Sequence, residues 1–194
     1  MKSFLTTIFA LTMFASPVIA HADKQQPKKA TSQKNKQANT LKDLQQRAAN
    51  GDAVAQYKLG IIYLNGTGVL KDYQEAMFNF RLSAVQKNMD AQYSLGRMYE
   101  DGYAAPQDYE TAVEWYVKAA DQGHNMAQYS LGLMYMDGQG VANDLVQAHM
   151  WFNLASAKGN EEATDKRKQL DKTLSQWQLG EAQSRAREWQ KSHP

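Results

Sequence analysis

The chain has 194 residues, of which 22 are basic and 20 are acidic, and it contains no cysteine. Without cysteine it has no disulfides, no thiolate nucleophile and no zinc site built from cysteines. The charge is uneven, because residues 40–194 carry 16 basic and 19 acidic side chains while the net charge of the whole chain is +2. A nucleic-acid partner would need a basic stripe on the folded part, so we expect none.

Residues 1–22 have the layout of a secretory signal peptide. Lys2 precedes a mostly apolar stretch over residues 4–14, Pro17 interrupts it, and small residues predict cleavage after Ala20 or Ala22. A membrane-spanning helix needs about 18 or more apolar residues, so this stretch is too short to be a span. We therefore expect an exported protein, periplasmic or secreted, without a membrane span.

Residues 23–39 are polar and basic, and we expect a disordered linker there. The segment has almost no large apolar side chain to offset the entropy of ordering. Its five lysines are Lys24, Lys28, Lys29, Lys34 and Lys36. A weak contact of this Lys24–Lys36 segment with anionic envelope polymers or lipid head groups is one interpretation, and an ordinary solvated run of charges is the other.

One phrase occurs three times at a spacing of 36 residues: AQYKLGIIYLNG, AQYSLGRMYEDG and AQYSLGLMYMDG. Self-similarity at this period is typical of a solenoid. We predict an all-α fold, an α/α solenoid of helix-turn-helix repeats, over residues 40–190. Its predicted parts are an N-terminal cap helix 40–50, repeats 55–90, 91–126 and 127–162, and a C-terminal cap 163–190.

The first helix of each repeat has apolar residues at i, i+4, i+7 and i+8, an amphipathic helical pattern. A glycine inside this helix costs about 1 kcal/mol relative to alanine, so its recurrence predicts close contact with another helix. These glycines are Gly60, Gly96 and Gly132. Three further glycines, Gly66, Gly102 and Gly138, are predicted to end the first helices in the left-handed conformation.

The second helix of each repeat is predicted to begin after an N-cap aspartate: Asp72, Asp108 or Asp144. Glu75 and Gln147 lie three residues after their caps and predict capping boxes, from which Thr111 departs. In the C-terminal cap, Ser175 and Gln178 predict another such box. The aromatic residues of the second helices, Trp115, Tyr116, Trp151 and Phe152, are expected to fill the space between units.

The phrase A-x-Y-x-L-G-x-x-Y-x-x-G-x-G-V resembles the Sel-one-like repeat (SLR) family, relatives of the tetratricopeptide repeats. The third copy matches best, while the second has Ala104 and Ala105 where Gly-Val is usual, and the first has Asn79 at a tryptophan position. The resemblance implies a right-handed superhelix and a role as an adaptor or inhibitor. A cysteine-rich branch is associated with β-lactam hydrolysis, but this chain lacks its cysteines.

Positions that differ between the three copies are free to specialise for a partner. On the first helices these positions share one face, which lines the concave groove in repeats of this class. We predict a partner-binding surface there, with apolar residues beside charged ones. Its nine members are Val54, Lys58, Ile61, Asp90, Ser94, Arg97, Met126, Ser130 and Leu133.

The predicted function is an exported protein-interaction scaffold of the bacterial envelope. Two alternatives are an immunity or inhibitor protein for a toxin enzyme, and an envelope hydrolase acting on β-lactams or peptidoglycan. No nucleophile–base pair can be proposed from the sequence, and no two histidines lie three or four residues apart. We therefore expect no catalytic residues, no cofactor and no metal site.

Overall fold

The computed structural model describes residues 40–193. Within this range all regular secondary structure is helical, and short loops connect the helices. The nine helices of the described range are α1 (40–49), α2 (Ala53–Asn65), α3 (Tyr73–Ala84), α4 (Met89–Asp101), α5 (Tyr109–Asp121), α6 (Asn125–Asp137), α7 (Leu145–Ala157), α8 (Glu161–Asp171) and α9 (Gln176–Ser192). None of them is long and apolar enough to cross a membrane. The predicted signal peptide (1–22) and basic linker (23–39) lie outside the described residues.

Helices that follow each other in the chain pack against each other, in the pairs α2–α3, α4–α5 and α6–α7 and between successive pairs. At the C-terminal end α8 packs on α7, and α9 returns to cover α7 as well. Trp189 of α9 meets Trp151 of α7 edge to face, with ring centroids 6.1 Å apart. The predicted all-α solenoid of helix-turn-helix repeats is confirmed.

The glycines inside the first helices lie directly against aromatic rings of the second helices. A Cβ atom would lie 2.6 Å from the Phe80 ring if added to Gly60, and 2.5 Å from the Tyr116 ring if added to Gly96. Gly132 meets Phe152 in the same way. Real Cβ atoms do not approach so closely, so each recurring glycine lets a fully buried ring pack onto the backbone.

The first helices end as predicted, at left-handed glycines with φ of 69°, 71° and 70°. The N-cap aspartates also accept amide hydrogens of the second helices, but the capping boxes predicted at Glu75 and Gln147 are wrong. The Asp72 amide donates instead to the Tyr63 carbonyl oxygen at 3.0 Å, and its counterparts do the same in the other repeats. The box at Ser175 is confirmed.

Buried glutamines connect successive repeats. Gln56, Gln92 and Gln128 each donate from Nε2 to an alanine carbonyl oxygen eight residues earlier. In the first two repeats their Oε1 atom accepts from a second glutamine, Gln86 at 2.7 Å or Gln122 at 2.6 Å. The third repeat lacks the second glutamine, and the buried Oε1 of Gln128 has no hydrogen-bond partner in the structure.

Candidate functional site

The nine predicted surface residues lie on α2, α4 and α6. Four are exposed (Val54, Lys58, Arg97 and Met126) and four are half-buried (Ile61, Asp90, Ser94 and Leu133). Ser130 is only 8% exposed and lies within hydrogen-bonding reach of the buried Tyr116 hydroxyl. Ser130 therefore offers a partner no accessible surface, and it belongs to the interior rather than to the site.

Polar contacts join the first helices to one another around Asp90 and Ser94. The Tyr57 hydroxyl of α2 lies within hydrogen-bonding reach of Ser94 of α4, and Ser94 itself donates to the Asp90 carbonyl oxygen at 2.7 Å. The Asp90 carboxylate lies 3.3 Å from Nε2 of His124, the residue that caps α6. These contacts place α2, α4 and the start of α6 side by side. We call the eight accessible predicted residues on these helices the first-helix surface.

His124 is held in one tautomer by its two partners. Its Nδ1 accepts the Ala127 amide hydrogen at 3.1 Å, so the ring proton lies on Nε2 and points to Asp90. The Tyr93 ring stacks on the imidazole at 4.6 Å. Burial lowers the pKa of His124 below its usual value, and this effect outweighs the opposing attraction of Asp90. The neutral ring is therefore favoured in the folded protein.

A small cavity of about 150 Å³ opens beside Arg97 on the first-helix surface. The lining residues are Leu64, Tyr93, Ser94, Arg97, Met98, Asp101 and Tyr103. The guanidinium pairs with Asp101 at 3.1 Å and lies within reach of the Tyr93 hydroxyl. Burial lowers the pKa of Arg97, but the interactions with these two residues outweigh that effect and raise it. The cavity therefore combines apolar walls with a fixed positive charge.

Sequence reasoning missed Tyr103 as a member of this site. Its ring stacks on Tyr73 at 4.7 Å with planes 7° apart, which fixes one wall of the cavity. The other two copies have Thr67 and Gln139 at this position, so the residue varies as the predicted surface residues do. Comparing the copies in the loops as well as on the helices would have identified it.

The acidic and histidine side chains of the described residues bear on whether the chain could hold a metal ion. No group of three or more His, Cys, Asp or Glu side chains over residues 40–193 is placed to hold a metal ion. His149 is buried and its Nε2 lies 2.8 Å from Asp171, a contact that joins α7 to α8. His193 stacks on Trp189 at 4.3 Å near the end of α9.

Three segments of the chain, residues 53–88, 90–124 and 125–160, match the family model of the Sel1 repeat. Among solved structures, a Sel1 repeat protein from Oxalobacter formigenes is similar at 39% identity with a TM-score of 0.63, covering 67% of this chain and 98% of that one. A protective antigen of uropathogenic Escherichia coli with an SLR fold is similar at 36% identity and a TM-score of 0.61. This second match covers 62% of this chain but only 26% of the Escherichia coli protein.

Cysteine rich protein B of Helicobacter pylori shares the fold at 21% identity, with a TM-score of 0.54 over 65% of this chain and 93% of that one. No curated protein gives a significant match.

Proposed function

Because the chain belongs to the Sel1 repeat family, we propose that it is a scaffold of the bacterial envelope that binds another protein through the first-helix surface. Sel1 repeats mediate protein–protein interaction. The observation that carries the choice of surface is the cavity beside Arg97, with its apolar walls and fixed charge. A cavity of this size takes one side chain of a partner rather than a metabolite, since small-molecule sites measure about 300–1,000 Å³.

The side chains of the first-helix surface have the composition expected of a protein-binding surface. Val54 and Met126 are exposed apolar residues, and Ile61 and Leu133 are half-buried. Lys58 adds a second exposed cation on α2. Apolar anchors beside charged groups that set specificity are typical of peptide and helix recognition.

The partner's anchoring segment should carry an acidic group. Arg97 keeps its charge at any physiological pH, and its side chain is 52% exposed although it pairs with Asp101 and lies near Tyr93. A carboxylate of the partner could therefore form a charge-assisted pair with it at the cavity rim. An apolar side chain next to that carboxylate would fill the space between Leu64, Met98 and Tyr103.

The export of the protein is part of the proposal and is supported by the sequence. The apolar stretch after Lys2 and the small residues before position 22 favour cleavage and release outside the cytoplasm. The partner would then be a periplasmic or extracellular protein. The lysines of residues 23–39 would add a weak attraction to anionic envelope polymers.

Affinity capture from envelope extract tests the proposal with two matched variants. Arg97→Glu reverses the charge at the cavity, and Arg187→Glu makes the same change at an exposed position of α9. We expect Arg97→Glu to lose a specific protein that the wild type and Arg187→Glu both retain. Retention of the same proteins by all three chains would contradict the proposed surface.

A further inference from the structure

The second helix of the first repeat, α3, leaves a row of large apolar side chains exposed. Phe78 is 57% exposed and Leu82 is 36% exposed, and Val85 continues the row beyond the helix end. Residues four and three apart lie on the same side of a helix. We call these three residues the α3 face. A single exposed apolar residue is ordinary, but a continuous row marks a site of interaction.

The corresponding positions of the third repeat are covered by another helix of the same chain. Two repeat lengths, 72 residues, take Phe78 to Met150 and Leu82 to Leu154, both on α7. These residues are only 4% and 2% exposed, because α9 packs on them through Ala186 and its neighbours. The outer side of the second helix of a repeat can therefore be covered by a packed helix, as α9 covers it on α7.

A polar contact anchors the docked α9 at the start of α7. Arg185 of α9 donates from Nη1 to Oε1 of Gln147 at 2.9 Å and lies 3.6 Å from Oδ2 of Asp144. The corresponding residues of the first repeat are Glu75 and Asp72. Asp72 caps α3 through Oδ1, as Asp144 caps α7. At the start of α3 an arginine of a bound helix could therefore pair with two carboxylates, Asp72 and Glu75. At the start of α7, Arg185 meets one carboxylate and one amide.

The second repeat has lost both features. Glu114 and Lys118 occupy the positions of Phe78 and Leu82, and Lys118 lies over the Trp115 ring at 4.0 Å. The second oxygen of its cap is also taken, since the Thr111 hydroxyl donates to Oδ2 of Asp108 at 2.7 Å. The combination of an apolar row with open carboxylates is therefore a property of the first repeat and not of the repeat pattern.

We propose that the α3 face binds an amphipathic helix of a partner protein, lying along α3 as α9 lies along α7. The bound helix would carry small or aromatic apolar residues at i, i+4 and i+7, as α9 does at Ala182, Ala186 and Trp189. An arginine beside them would pair with Asp72 and Glu75. This site is separate from the first-helix surface and gives the scaffold a second point of attachment.

A peptide with the α9 sequence is the probe that tests this site. The peptide spans residues 175–193, carries a fluorophore and is held helical by a lactam bridge between positions 183 and 187, which are exposed in α9. It is titrated into the chain from Asp23 onward, followed by fluorescence anisotropy. We expect saturable binding that Leu82→Glu weakens about tenfold or more. Lys118→Glu, which places glutamate at the matching position of the second repeat, should leave binding unchanged.

Exchanging the charges of residue 75 in the protein and residue 185 in the peptide distinguishes a specific contact from nonspecific hydrophobic binding. Glu75→Lys should weaken binding of the peptide, and Arg185→Glu in the peptide should restore it, a rescue that damage to the fold cannot produce. Absence of binding at millimolar peptide, or equal loss with Leu82→Glu and Lys118→Glu, would overturn the proposal. If the wild type is a dimer and Leu82→Glu converts it to a monomer, the proposal is also overturned, because the α3 face would then be the interface between two copies of this chain. Arg97→Glu should leave peptide binding intact, so failure of one site is distinguishable from failure of the other.

Discussion

At the scale of single residues, differences between equivalent positions of the repeats show where one repeat lacks a stabilising contact that the others have. Gln128 is fully buried, and its Oε1 atom lacks the partner that Gln86 and Gln122 provide in the other repeats. Lys158 occupies the equivalent position and donates instead to the Gly123 carbonyl oxygen at 2.7 Å. An unsatisfied buried acceptor costs about 1–3 kcal/mol in folding free energy. A residue at position 158 that donates to Gln128 Oε1 should therefore stabilise the protein.

Lys158→Gln should stabilise the protein by about 1 kcal/mol, because the new amide can donate to Gln128 Oε1 as Gln122 donates to Gln92. The free energy of unfolding in urea measures the effect. The reverse change, Gln122→Lys, should destabilise the second repeat by a similar amount. A lower stability of Lys158→Gln would contradict the account of the glutamine pairs.

A second residue-scale prediction concerns the glycines beneath the aromatic rings. Gly96→Ala should destabilise the protein by about 1–3 kcal/mol, because the added Cβ would overlap the buried Tyr116 ring. Gly180→Ala is the matched control, since nothing lies within 4 Å of a Cβ added at this position of α9. There the gain in helix propensity should stabilise by up to about 1 kcal/mol. Equal effects at both glycines would show that ring packing is not the reason for Gly96.

At the scale of helices, the residues that cap α6 give the protein a dependence on pH. The equivalent cap residues of the other units are Asp52, Asn88 and Asn160, but α6 has His124. Its Nδ1 can accept the Ala127 amide hydrogen only while it is unprotonated. Protonation would therefore remove the cap.

The pKa of His124 is lowered in the folded protein, so the unfolded chain binds the proton more readily. The stabilisation is complete above the unfolded value of about 6.5 and is lost as the pH falls through the folded value. Stability should thus decrease between pH 7.5 and 5.5. Asp90 and Lys158 act on the same ring in opposite directions, and burial is the largest cause.

His124→Asn should keep the cap and remove this part of the pH dependence. His124→Ala should cost about 1 kcal/mol at pH 7.5, where the cap is intact in the wild type. Thermal unfolding of the three chains at several pH values measures both effects, and the difference between variant and wild type cancels the pH dependence that the chains share. An unchanged slope in His124→Asn would contradict the assignment.

The sequence predicted what depends on short spacing and missed what depends on contacts between distant segments. The aspartate caps were correct because an N-cap bonds to amides two or three residues away. The capping box at Glu75 was wrong because a carbonyl of the preceding helix, from Tyr63, reaches the cap amide first. Likewise, helical periodicity placed Ser130 on the right helix, but only its contact with Tyr116 shows that it is buried.

At the scale of the whole molecule, the repeats form a common frame that carries two distinct candidate surfaces. The repeated alanines and rings build the core, with the recurring glycines packed against the rings. The first-helix surface and the α3 face consist of residues that change from copy to copy. A scaffold of this kind could hold two partner segments at once, and linked sites can raise the overall affinity well above that of either alone.

The proposed function requires that the first-helix surface binds a protein, and photo-crosslinking in intact cells tests this most directly. A photoreactive phenylalanine replaces Tyr103, an exposed aromatic residue that lines the cavity, so that Arg97 stays in place, or it replaces Arg187 on the exposed side of α9. We predict one discrete protein adduct from position 103 and none from position 187. No adduct at position 103, or the same adducts from both positions, would contradict the claim.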